Sequence, residues 1–229
     1  MFHTFVNELK ANHDVKVSFK KDSAFMKFLN IFVGLFNKKF METYITTIGS
    51  TVYYPTPEFV AIDVERAIRI MAHEFVHIMQ SARHGLWFSI GYLFPQILAV
   101  LALLAIPLAF FSWWGLLPLL FLICLLPLPA YWRKKWEADA YTMTLFVHCY
   151  FMKKHGFDET TIAKELFKRA KWISETQFEN MAYFKMWPWG VTNILYAKIP
   201  DIVSGDICST DEVYGIVEQS LNRSCALHY

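Results

Sequence analysis

A mainly α-helical fold, with a small β element in its core and a transmembrane helical hairpin, is predicted by three observations. Stretches such as Asp63 to Gln80 carry apolar residues at helical spacing with no internal glycine or proline. One stretch, Tyr44 to Tyr54, is rich in β-branched and aromatic residues, with Gly49-Ser50 as a turn. Leu86 to Trp132 is a run of 47 residues without Asp, Glu, Lys or Arg. One helical pass through a bilayer core needs about 20 apolar residues, so the run is about twice what a single pass requires.

Taken in order, Val15 to Lys20 alternates in polarity and reads as a strand. Ser23 can cap a helix from Ala24 to about Lys39, with Phe25, Phe28, Leu29, Phe32, Leu35 and Phe36 on one stripe. Flanking lysines suit a helix lying in the membrane interface; a core helix packed on the next one fits equally. Tyr44 to Tyr54 reads as a hairpin or bent strand ending at Pro55-Thr56-Pro57. Asp63 to Gln80 is a helix with His84-Gly85 as its stop. In the uncharged run, Ser89 to Phe110 forms one arm and Leu116 to Trp132 the other, turning at Ser112-Trp113-Trp114-Gly115. Trp87, Tyr92, Tyr131 and Trp132 would form an aromatic belt where the hairpin enters and leaves the bilayer. Pro95, Pro107, Pro118, Pro127 and Pro129 kink both arms, so the hairpin either spans or dips in.

Beyond it, Trp136 to Lys154 and Glu159 to Ser174 read as helices, the second continued by Thr176 to Lys185. Met186 to Gly190 breaks the pattern, and a last helix runs from Asp211 to Leu221 with Thr210 as its cap. The chain thus divides into an N-terminal part (1–85), the hairpin (86–132) and a C-terminal helical part (133–229).

The bulk numbers narrow the function. With 229 residues and a formal charge of +2, the chain fits one domain plus membrane elements and gives no reason to expect nucleic acid. Charge is uneven: residues 1–40 hold seven lysines against three acids, and residues 201–229 hold five acids against Arg223. A basic front suits an anionic membrane leaflet. Cys124, Cys149, Cys208 and Cys225 are too scattered for a disulfide framework or a thiolate metal site. The first 14 residues lack the basic-then-apolar pattern of a secretion signal. Arg83 before the hairpin and Arg133, Lys134 and Lys135 after it put both ends on the positive side, the cytoplasm. The expectation is an integral protein of the cytoplasmic or inner membrane with its site on the cytoplasmic side.

The chemistry is concentrated in His73-Glu74-Phe75-Val76-His77. On a helix, His73 and His77 share a face and can offer imidazole nitrogens to one zinc ion. Glu74 is placed to take a proton from the attacking water. A catalytic zinc normally has three protein ligands, so a third is needed. The hairpin returns the chain to the side it left, and the next helix opens Trp136-Glu137-Ala138-Asp139-Ala140-Tyr141. Glu137 is the expected third ligand. Asp139, about 200° round the helix from Glu137, is the alternative, or a partner of one histidine. Tyr141, His148, Tyr183 and Tyr196 are candidates for an oxyanion donor, with His148 better explained as a structural histidine.

This set resembles the gluzincin metallopeptidases, whose core is the α+β zincin fold. Within them it is similar to the membrane-embedded CAAX-protease and heat-shock-protease group, which also places a hairpin between HExxH and a glutamate-bearing helix. The resemblance covers about Asp63 to Lys154. It departs at Lys135, where that group usually carries its glutamate; the Glu137–Ala140 register, with Gln80 three residues after His77, looks like other zincins. The resemblance implies a membrane-bound zinc endopeptidase acting on peptide or protein substrates, whose extended chain pairs with the Ile45 to Tyr54 strand region. The contrasting expectation is a non-proteolytic pore-forming or interaction protein whose zinc site is structural or vestigial.

Overall fold

The computed structural model describes residues 1–34, 37–126, 128, 130–177 and 188–227, with backbone alone at 177, 188 and 189. Leu35, Phe36, Pro127, Pro129, Tyr183 and the expected helical continuation over 178–185 lie outside the described residues. The described chain is mainly helical with one small three-stranded sheet.

Helix α1 (Phe2–Asn12) buries Phe2, Phe5, Val6 and Leu9, one face at helical spacing. Strand β1 (Lys16–Phe19) follows, then α2 (Ala24–Val33), whose N-cap Ser23 Oγ accepts the Met26 N–H at 3.2 Å. Strands β2 (Thr46–Ile48) and β3 (Thr51–Tyr54) form the expected hairpin, with Gly49 at φ +59° supplying the turn conformation that side chains disfavour. The sheet order is β1-β3-β2: β1 runs parallel to β3, and β2 pairs antiparallel with it, Thr47 opposite Val52. Among the described residues, one edge of β2 is therefore left without a strand partner.

After the short α3 (Pro57–Ile62), α4 (Val64–His84) starts at Asp63, whose carboxylate accepts the Arg66 N–H at 2.8 Å. It buries Ala67, Ile68, Met71, Ala72 and Phe75. Helix α7 (Tyr131–Lys154) lies antiparallel along it and buries Ala140, Met143, Leu145 and Val147. The remaining helices are α8 (Glu159–Trp172), extended by a π turn (Ile173–Gln177), α9 (Pro188–Ser204), α10 (Ile207–Thr210) and α11 (Glu212–Ala226). Helix α9 packs on α7 and α8, and α11 covers α1, where Arg223 Nη1 donates to Glu8 Oε2 at 2.8 Å.

Several boundaries differ from the sequence expectation. Helix α2 stops at Gly34, short of Lys39, and Met26 is its buried residue while Phe25, Phe28, Ile31 and Phe32 stand exposed. That excludes the reading of α2 as a core helix packed on α4. The last helix is capped by Asp211, which accepts the Val213 N–H, and not by Thr210, whose hydroxyl donates to the Ile207 carbonyl.

The uncharged run is not a pair of long helices. It comprises α5 (Leu86–Leu93), a 3₁₀ segment (Gln96–Leu104), α6 (Ala105–Leu108) and a second 3₁₀ segment (Trp113–Leu125). No single described helix is long and apolar enough to cross a membrane; Leu86–Leu93 and Gln96–Leu108 together have that composition but bend by 88°. The two 3₁₀ segments do pack on each other as a hairpin. Gly115 makes that possible, since a Cβ there would fall 2.2 Å from the Leu108 carbonyl. The side chains of this hairpin point outward, Phe110 at 85% and Phe111 at 87% exposure near its tip.

Lys20 does not belong to the basic front. It is fully buried, with Nζ donating to the Phe40 carbonyl at 2.8 Å and lying 3.7 Å from the Phe40 ring centre. Burial lowers its ammonium to about 8. The unfolded chain keeps that proton to about pH 10.4, so between these values folding releases a proton and stability from this group rises with pH. Lys20→Met removes the rise. Urea midpoints of both proteins at pH 7.5 and 9.5 check this, and a gap that does not widen in favour of wild type at the higher pH contradicts it.

Candidate metal centre

Helices α4 and α7 bring His73, His77 and Glu137 together, with one ligand atom from each lying within 4.8 Å of the others. Glu137 Oε2 lies 3.6 Å from His73 Nε2 and 3.8 Å from His77 Nε2. Ligands of a tetrahedral ion at about 2.0–2.1 Å stand roughly 3.3 Å apart, so the three atoms frame a zinc-sized space. Glu137 Oε2 is buried and has no hydrogen-bond partner, an arrangement that is costly unless a cation completes it. The residues therefore fit a metal ion.

The imidazoles are held for that task. Thr144 Oγ1 donates to the Ala140 carbonyl, so the 3.2 Å contact with His73 Nδ1 has the ring nitrogen as donor. His77 Nδ1 donates to Gln80 Oε1 at 2.9 Å, and Gln80 Nε2 donates to the Trp136 carbonyl and to Asp139 Oδ2 at 3.4 Å. Both rings are thus held with Nδ1 turned to its partner and Nε2 turned toward the gap. Asp139 is not among the three grouped residues; it accepts from Gln80, which in turn meets His77. Gln80→Leu should weaken zinc binding by roughly 10–100-fold, read by competition with a chromogenic chelator. An unchanged affinity would remove Gln80 from any orienting role.

Glu137 is anchored on its other oxygen. Tyr92 Oη donates to Oε1 at 2.5 Å, and Arg133 Nε stands 3.9 Å from the same atom with its guanidinium 4.4 Å from the Tyr92 ring centre. Burial alone would raise the Glu137 carboxyl, yet contact with the two imidazoles holds it well below the usual range. Burial likewise pulls His77 down, but Glu137 and then Glu74 outweigh it and bring the ring to about 9. The site is one that demands positive charge.

Glu74 lines the same cleft, and its Oε2 accepts from Thr47 Oγ1 of β2 at 2.7 Å. The cleft, of about 1150 Å³, runs between β2, α4, α7 and α8 and opens onto the metal group. Tyr141 lines it with its ring 4.6 Å from that of His73. His148 lies seven residues further along α7 and lines a neighbouring cavity of about 550 Å³ instead. Neither of its ring nitrogens has a hydrogen-bond partner, and burial, then the charges of Arg169 and Arg69, push it down to about 4. Tyr196 packs on Phe167 and does not line the cleft. Asp139 is likewise outside it.

Tyr92, expected in an aromatic belt, and Arg133, expected among the cytoplasmic cations, both meet Glu137. Thr144 and Thr47 were missed. Thr144 is seven residues after Glu137, hence on its face of α7, a signal the spacing held. Thr47 and Tyr92 come from other elements, and only the tertiary fold reveals them.

Comparison with protein-family models, with curated proteins and with solved structures returned no match. What the site geometry defines is a His-His-Glu group in an open cleft that could hold a metal ion.

Proposed function

We propose that this chain is a membrane-bound zinc metalloendopeptidase. The observation that carries the reading is Glu74, a carboxylate set beside an oriented His-His-Glu group in a cleft bordered by an unpaired strand edge. Zinc held by His73, His77 and Glu137 would act as a Lewis acid and make water nucleophilic at neutral pH. Thr47 occupies Glu74 Oε2, which leaves Oε1 to accept a proton from the attacking water and hand it to the leaving amine. Tyr141 is the choice for oxyanion donor: it borders the cleft, and burial raises its phenol well above the usual range, so it stays protonated. An extended peptide adding to the free edge of β2 would pass over Glu74.

The membrane part of the proposal rests on the outward apolar hairpin and on α2. At about 2.0 Å per 3₁₀ residue and 1.5 Å per α residue, each arm measures roughly 24–26 Å, a little under the ~30 Å hydrocarbon core. The hairpin would dip deeply or thin the bilayer locally, with Trp87, Tyr131 and Trp132 exposed near its base. Exposed Phe25, Phe28, Ile31 and Phe32 on α2, with Lys27 beside them, would lie in the interface. Lys134, Lys135 and Arg83 keep the site on the cytoplasmic side. The outward hairpin also suits the second reading, a membrane factor that keeps zinc for structure alone.

Zinc content and peptide hydrolysis of the purified full chain, with chelator and after zinc is restored, separate the two. Loss and recovery of hydrolysis supports the peptidase; a zinc-bearing, vesicle-bound protein that cuts no peptide supports the second reading.

A further inference from the structure

The cleft does not end at the metal group. Arg66, Arg69, His73 and His77 follow spacings of three and four, so they form one stripe of α4. Arg69 is about 6 Å and Arg66 about 10 Å along the axis from His73. Arg169 of α8 closes this end, beside Trp172. Among the described residues, the acids lining the cleft are Glu74 and Glu137, both at the metal end. Asp63, Glu65 and Glu165 are near the arginines, but none lines the cleft, and Glu65 and Glu165 border the neighbouring cavity.

Arg66 is exposed, its guanidinium 5.1 Å from the Phe59 ring centre, whereas Arg69 and Arg169 are poorly paired for their burial. The Arg69 side chain is 12% exposed and meets Asp63 Oδ2 and Glu65 Oε2 only at 4.0 Å, beyond a hydrogen bond. Arg169 Nε is buried with no hydrogen-bond partner among the described residues. Burial, with Arg169 beside it, lowers the Arg69 guanidinium; burial also lowers that of Arg169, with Glu165 opposing and Arg66 adding to the effect. Two partly buried cations that repel each other, one with an open donor, call for an anion. Two arginines offering planar forks suit a carboxylate.

We infer that Arg66, Arg69 and Arg169 form a carboxylate-binding subsite that selects an acidic group on the substrate. A strand rises about 3.3 Å per residue, so 6–10 Å from the metal corresponds to two or three residues from the scissile bond. The inference rests on the peptidase reading for that register, while the carboxylate site itself does not need hydrolysis. Two sources carry the same chemistry: an Asp or Glu side chain within the peptide, or the peptide's own C-terminal carboxylate.

The test is binding of dye-labelled octapeptides by fluorescence anisotropy to the zinc-loaded full chain carrying Glu74→Gln, so that no peptide is consumed. One arm moves a single Glu along an amidated peptide, a second replaces it with Gln, and a third leaves the Gln peptide with a free C-terminus. The expected result is binding tighter by on the order of tenfold or more for a carboxylate at one position. The preference should collapse in Arg169→Gln and in Arg69→Gln and survive in part in Arg169→Lys. Whichever of the first and third arms gains affinity identifies the source. Equal binding of Glu, Gln and free-acid peptides overturns the inference, and this arm needs no arginine variant to fold. Cleavage by unsubstituted Glu74 protein without acidic preference sinks the subsite and leaves the peptidase. Arginine-dependent binding without cleavage keeps the subsite and sinks the peptidase.

Discussion

Glu74→Gln is expected to lower peptide hydrolysis by roughly 10²–10⁴-fold while zinc content stays near about one ion per chain. The substitution keeps shape, and the Gln amide oxygen can still accept from Thr47 Oγ1, so the local geometry of β2 and α4 survives. What it removes is the only function assigned to the carboxylate, namely taking a proton. Glu137→Gln should behave in the opposite way. There the charge opposing two imidazoles is lost, and zinc content falls together with activity. Metal analysis beside a hydrolysis assay separates the pair. Wild-type rates in Glu74→Gln, or loss of zinc from that variant, would remove Glu74 from the proton-transfer role.

The His-His-Glu group was legible in the sequence because each step was local. The four-residue spacing of the histidines fixes their shared face, and the first acid on the helix after the uncharged run supplies the third atom. Register only separates Glu137 from Asp139 by about 200°; the fold shows that Glu137 is the buried one beside the histidines. The supporting cast was less legible. Tyr92 sits in an apolar run that reads as membrane, and nothing local shows that α5 folds back onto Glu137. Helix α1 is similar: Phe2, Phe5, Val6 and Leu9 keep helical spacing, but their cover comes partly from α11, more than two hundred residues away in the chain. The hairpin's length was visible, whereas its division into short 3₁₀ segments was not, because uniform apolar character has no periodicity to read.

Phe75→Ala, one residue on from Glu74, is expected to cost about 3–5 kcal/mol of folding stability with the proton-transfer machinery intact. Phe75 is fully buried and stands about 200° round α4 from His73, so it faces the core while the histidine faces the cleft. Its ring meets that of His13 edge-on at 5.2 Å, joining α4 to the segment between α1 and β1. Truncation leaves a cavity on the core side of the helix that carries both histidine ligands. For a domain of ordinary stability, about 5–15 kcal/mol, such a loss populates unfolded chain without touching a ligand. Zinc should offset part of it, since an ion that binds only the folded state adds about 4 kcal/mol at a thousand times its dissociation constant. The measurement is a urea midpoint for both proteins with and without zinc, beside turnover per folded molecule. Phe75→Ala should shift the midpoint and leave turnover per folded molecule near wild type, the reverse of Glu74→Gln. An unshifted midpoint without zinc would mean that this face of α4 does not hold the ligand helix in place.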